Sequence, residues 1–90
     1  MLLVSYDIRD DKLRTAFSKM LQRCGAIRLQ FSVYEVNNTK RILDIIKLEI
    51  EHTFKRKFSG EDSVIIFEFD SHNIIKYGNA IHRDQDIVFF

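Results

Sequence analysis

Leu2, Val4, Tyr6 and Ile8 alternate with Leu3, Ser5 and Asp7, the period of two that marks a strand with one face turned to a core. Arg9, Asp10 and Asp11 break that alternation, and the apolar period then changes. From about Asp11 to Cys24 the residues Leu13, Ala16, Phe17, Met20, Leu21 and Cys24 recur at three- and four-residue spacing, the stripe of an amphipathic helix. Asp10 is placed to cap the first turn, and Gly25 to end the helix in a left-handed conformation. Lys12, Lys19 and Arg23 fall on the outer side of this helix, flanked by Arg14 and Gln22.

Alternation resumes in AIRLQFSVYEV, where Ile27, Leu29, Phe31 and Val33 share one face and Arg28, Gln30, Ser32 and Tyr34 the other. No Gly or Asn-Gly turn signal falls inside this run, so it reads equally as one bulged strand or as two short strands meeting at a tight corner. Asn37, Asn38 and Thr39 supply loop and cap chemistry for a second helix reaching Phe54 or Lys55, with Ile42, Leu43, Ile45, Ile46, Ile50 and Phe54 as its apolar face. Lys47 with Glu51, and Glu51 with Lys55, support it by about 0.2–0.5 kcal/mol per pair. KRKFSGED is a polar loop and SVIIFEF the strongest strand of the chain. DSHN is a turn, IIKYG a short element, NAIHRDQ a linker, and Asp86–Phe90 a last short strand. Strand, helix, strand, helix, strand predicts an α+β, ferredoxin-like two-layer sandwich: two helices on one face of a mainly antiparallel sheet.

Ninety residues allow one domain, spanning 1–90. Eight Phe and three Tyr are many for that length, and oligomerisation is one remedy for apolar surface that a small core cannot hide, so a homodimer is expected. The apolar run IVFF invites aggregation unless it is paired or covered. It either joins an edge of its own sheet or is exchanged between two subunits, and exchange through Ile87, Val88, Phe89 and Phe90 is the expectation adopted. Fourteen basic residues against thirteen acidic give a net charge of +1, which does not announce nucleic-acid binding. A lone Cys24 excludes an intrachain disulfide and a multi-cysteine zinc site and suits a reducing cytoplasm. With no signal-like leader at Met1 and no run near the roughly 18 apolar residues of a membrane span, a cytoplasmic location away from membranes is expected.

Asp7 draws attention because it is an acid in line with a strand face, immediately before a loop. Loops after strands commonly carry function. Here several features together resemble a known family. YDIRDD, Arg14 four residues after Asp10, then Gly25, RLQFSVYE, a helix and the SVIIF strand occur in the order and at the length of CRISPR-associated protein two, the small subunit of the complex that inserts new spacers into CRISPR arrays. The resemblance implies a ferredoxin-like fold and a symmetric dimer in which the first-strand aspartates face each other across the axis. It also implies that Asp7 and its symmetry mate hold a metal ion such as Mg2+, since metal-dependent cleavage of RNA or DNA is assigned to some members. In spacer acquisition the implied role is a bridge between two integrase dimers that holds the incoming duplex. Arg14, Phe31 and Ser32 match the motif and take supporting roles.

Magnesium with one or two carboxylates and retained waters activates water and neutralises phosphate charge. One Asp7 is a poor site, whereas two across an axis suffice; Asp7 is thus the candidate catalytic and metal residue. Asp10 and Asp11 are read first as a cap and a first-turn acid. For Asp7 itself the plain alternative is an acid held by backbone donors, by Arg9 or by Arg14. His52, His72 and His82 lack metal-ligand spacing, and Cys24 is read as packing. Candidate phosphate contacts are Arg9, Lys12, Arg14, Lys19, Arg23, Arg28, Lys55, Arg56 and Lys57, useful to double-stranded DNA only if gathered on one surface. Tyr34 is expected at the dimer interface. Three readings stay open: a duplex-binding scaffold partnered with an integrase subunit, an active metal-dependent nuclease including toxin-like ribonucleases, and a dimeric interaction module without nucleic acid.

Overall fold

The opening alternation becomes β1 (Leu2–Asp7), a central strand of a four-stranded sheet in the order β2-β3-β1-β4. The structure, a computed structural model, describes residues 1–37 and 40–80. The elements run β1, α1 (Asp11–Arg23), β2 (Ile27–Gln30), β3 (Val33–Val36), α2 (Lys40–Glu49) and β4 (Ser63–Glu68). All three strand pairings are antiparallel. This is the expected α+β, ferredoxin-like arrangement.

Leu2, Val4, Tyr6 and Ile8 are buried, and they pack with Leu13, Phe17, Met20 and Leu21 of α1 and with Ile46 and Phe54. Both helices therefore cover the same face of the sheet. Phe17 sits at the centre, its ring 4.8 Å from that of Tyr6 and 5.0 Å, edge-on, from that of Phe54. Each large side chain so buried contributes about 1.5–3 kcal/mol. Two positions depart from the expected stripes: Ala16 of α1 is exposed, and Ile45 of α2 is 40% exposed. Both lie at the margin of a helical face whose centre already fills the space over the sheet. Beyond Glu49 the helix widens into a π turn over Ile50–Phe54 and tightens to 3₁₀ at Lys55–Lys57. Asp10 caps α1, its Oδ2 accepting from the Leu13 N–H at 2.8 Å. Gly25 follows the helix with φ +87°. The cap positions 38–39 lie outside the described residues.

The ambiguous run resolves into two strands. Ile27 pairs with Glu35, Arg28 with Tyr34 and Gln30 with Val33, with a slip between Arg28 and Gln30, and the chain reverses at Phe31 and Ser32. Directly paired residues point to the same side of a sheet. Tyr34 joins the core with its neighbour Val4 on β1, so the Arg28 side of β2 faces the helices. Ile27, Val33 and Glu35 share the opposite face with Leu3, Ser5, Ile65 and Phe67. This helix-free face is thus unusually apolar, and Ile65 and Phe67 are each 52% exposed on it.

After β4 the chain turns back across this face. Phe69 and Met1 exchange backbone hydrogen bonds of 2.9 and 3.0 Å, extending the β1–β4 pairing. The expected short element IIKYG is an extended stretch between 3₁₀ turns at Ser71–Asn73 and Gly78–Ala80. Lys76 in that stretch pairs with Glu35, and the second turn packs on β2. The last strand expected from the sequence, with Ile87, Val88, Phe89 and Phe90, falls outside the described residues, as does His82. Among the described residues no helix is long and apolar enough to cross a membrane.

Candidate nucleic-acid and metal surface

Asp7 closes β1 opposite Ser63 and is exposed. Because side chains alternate along a strand, it projects to the helix-free side, opposite Tyr6. The neighbouring acids are committed elsewhere. Asp10 caps α1, and Asp11 forms an ion pair with Arg14 one turn on. Neither Arg9 nor Arg14 holds Asp7: Arg9 pairs with Glu61 at 3.3 Å, while the Arg14 guanidinium also donates to the Ile8 carbonyl at 3.1 Å. The Asp7 carboxylate makes no hydrogen bond or ion pair with another described residue. Among the described residues no three His, Cys, Asp or Glu side chains gather into a metal-binding group. One copy of the chain therefore offers a cation a single exposed carboxylate, which fits magnesium only if a second copy supplies another.

Five of the basic candidates gather in two places on the helical side. Arg14, Lys19 and Arg28 rim a groove of about 340 Å³ between α1 and the β2–β3 corner, closed at one side by Phe31. Its floor is polar. The Ser18 and Tyr34 hydroxyls lie 2.6 Å apart, and the Gln22 Nε2 donates to both at 3.2 and 3.3 Å. Burial alone would raise the Tyr34 phenol, but hydrogen bonds with Ser18 and Gln22 and the charge of Arg28 bring it below the usual phenol value. Tyr6, stacked 6.1 Å from Tyr34, is raised by burial and by that same neighbour. A second, smaller gathering places Lys12 and Lys57 around Leu13, Ala16 and the capping Asp10. Arg23, Lys55 and Arg56 are exposed but line neither groove.

The placement of Tyr34 corrects one expectation. It is fully buried beneath α1 rather than exposed on a dimer-forming face, because the β2–β3 corner turns it inward. Its hydroxyl lies behind the groove, bonded to the lining residues Ser18 and Gln22. Cys24 is packed against the core, with its thiol raised by burial and then by Glu49, in keeping with a packing role. Sequence reasoning missed the Ser18–Tyr34–Gln22 cluster. Its only signal was Ser18 and Gln22 four residues apart on one helix, with nothing to show that a tyrosine from β3 would lie beneath them. It also missed Asp62, whose carboxylate accepts from the backbone N–H of Arg9 at 2.9 Å and of Ser59 at 2.8 Å, tying the loop before β4 to the loop after β1.

Residues 1–76 match the family model described as CRISPR associated protein Cas2. The chain is also 34% identical over 67 residues to the CRISPR-associated endoribonuclease Cas2 2 of Methanospirillum hungatei, a match covering 74% of this chain and 70% of that relative. The β1 acid, the capped helix, the corner and the final strand described above lie inside the matched span, and the chain belongs to the CRISPR-associated protein Cas2 family.

Proposed function

We propose that the chain acts in the cytoplasm as a homodimer that binds double-stranded DNA through its phosphates and bridges integrase subunits during CRISPR spacer acquisition. The observation that carries this reading is the division of labour between the two faces of the sheet. Asp7 and the half-exposed Ile65 and Phe67 lie on the helix-free side, while Arg14, Lys19 and Arg28 lie on the helical side. Pairing two helix-free faces covers the apolar residues and brings two Asp7 carboxylates together. The basic grooves then stay outside, available as a track for phosphates. Among the described residues none is placed to read base edges of a duplex, so the binding proposed is to phosphates and independent of sequence.

A second reading is favoured by the relative named an endoribonuclease. In it the two Asp7 carboxylates hold Mg2+, which when bound supplies an activated water and charge neutralisation at the phosphate. This chain's own part is to present the Asp7 pair and to steer the strand with Arg14 and Arg28.

Asp7→Ala separates the two. The scaffold reading expects duplex affinity and spacer integration to survive while any Mg2+-dependent cleavage disappears; loss of integration along with cleavage favours the nuclease. Reversing Lys19 and Arg28 to Glu lowers duplex affinity and flattens its dependence on salt by about two charges per copy. A wild-type protein that is monomeric at working concentration and ignores duplex at low salt would overturn both.

A further inference from the structure

Phe31 is 72% exposed at the β2–β3 corner, whereas the ring cluster of Tyr6, Phe17, Tyr34 and Phe54 is buried. It supplies no core contact that would explain an apolar ring there. It stands instead as the wall shared by two concavities, the basic groove and a second hollow lined by Arg28, Leu29, Gln30 and Asn79. The Arg28 guanidinium lies over its ring, 5.8 Å from the centroid, so cation and ring stack as a cation–π pair that forms one shelf at the groove. Beside the shelf, Arg14 and Lys19 provide positive charge, and Ser18 and Gln22, which are hydrogen-bonded to the buried Tyr34 hydroxyl behind them, provide donors and acceptors.

We propose that this groove takes one unpaired nucleotide of a nucleic-acid strand, its base stacked on the Phe31–Arg28 shelf and its phosphate held by Arg14 and Lys19. Three features lead to that ligand class. A groove of about 340 Å³ is the size of a small-molecule site rather than a track for a helix. Aromatic rings and guanidinium planes hold bases through their π faces, which a duplex hides inside its own stack. Phosphate contacts alone would need no exposed phenylalanine. The inference rests on the nucleic-acid reading above and extends it: the paired part of a ligand lies along the basic surface, and an unpaired base marks its register at the corner.

The test compares wild type, Phe31→Ala and Phe31→Trp for binding to a short single-stranded oligonucleotide carrying 2-aminopurine and to a blunt duplex of equal length. Phe31→Ala is expected to weaken single-strand binding by about 5- to 150-fold, the range spanned by one base–aromatic stack, and to abolish the quenching of 2-aminopurine. Duplex affinity stays within about twofold, and Phe31→Trp restores both single-strand affinity and quenching. Single-strand affinity that is unchanged in Phe31→Ala, or that falls equally with duplex affinity, overturns the proposal. If wild type binds no duplex, the scaffold reading fails, and the single-strand comparison still decides this one. Because Phe31 is exposed, neither variant removes core packing.

Discussion

The Lys76 ammonium is paired with the Glu35 carboxylate on the helix-free face, with the two side chains only 18% and 7% exposed. The pair joins β3 to the stretch that returns across the sheet, and so holds that stretch in place. Lys76→Met leaves Glu35 buried without this cation and is expected to cost about 1–3 kcal/mol, read as a lower urea midpoint at unchanged slope. Combining it with Glu35→Gln should recover part of the loss, because a neutral amide is cheaper to bury than a carboxylate. Equal stability of wild type and Lys76→Met would show that the pair does not anchor the stretch.

Tyr34→Phe keeps the buried ring and removes the hydroxyl shared with Ser18 and Gln22. The expected cost is about 1 kcal/mol. Adding Ser18→Ala should cost less than the sum of the single changes, since both remove the same 2.6 Å contact. A double-mutant cycle by chemical denaturation measures this, and strict additivity would argue against a coupled floor.

Gly25 and Gly60 make a matched comparison. Gly25 has φ +87°, and a Cβ there would meet no atom within 4 Å, so Gly25→Ala carries only the backbone penalty of about 1–2 kcal/mol. Gly60 lacks a left-handed φ and also has open space around it. Gly60→Ala is therefore expected to be neutral or slightly stabilising. Thermal melts of the two variants give the contrast directly.

Asp62 sets an acid limit. Backbone N–H groups of Arg9 and then Ser59 hold its carboxyl below the ordinary aspartate value. A carboxyl with a lowered folded pKa adds stability that is fully present above its unfolded value, about pH 4, and is lost as pH falls through the folded value. Asp62→Asn should therefore destabilise the protein near neutral pH, and the difference from wild type should shrink on acidification below about pH 4. Denaturation curves across that range check the sign; a gap that widens in acid would contradict the assignment.

Local chemistry was legible wherever one short-range rule dominated. The β1 alternation, the α1 stripe, the Asp10 cap and the left-handed Gly25 all follow from neighbours a few residues apart, and each stands in the structure. The candidate site was legible in composition more than in arrangement. Asp7 could be singled out, but whether Arg9 or Arg14 would neutralise it depended on Glu61 and Asp11 competing for those cations. Tyr34 was expected at an interface because it lies in the motif segment RLQFSVYE, and nothing in that segment shows that the tyrosine turns beneath α1.

The sequence by itself determined the alternation of strands and helices up to β4, the antiparallel two-layer class and the family, since periodicity, caps and motif residues act over short stretches of chain, while the run that became β2 and β3 stayed open. Only the tertiary structure decided that Arg28 and Tyr34 turn toward the helices, that the more apolar face is left free of helices, and that basic groove and Asp7 lie on opposite sides of the sheet. Those outcomes depend on which strand pairs with which and in what register. A one-residue change in pairing moves every side chain of a strand to the other face, and the slip between Arg28 and Gln30 appears only once β2 and β3 are paired.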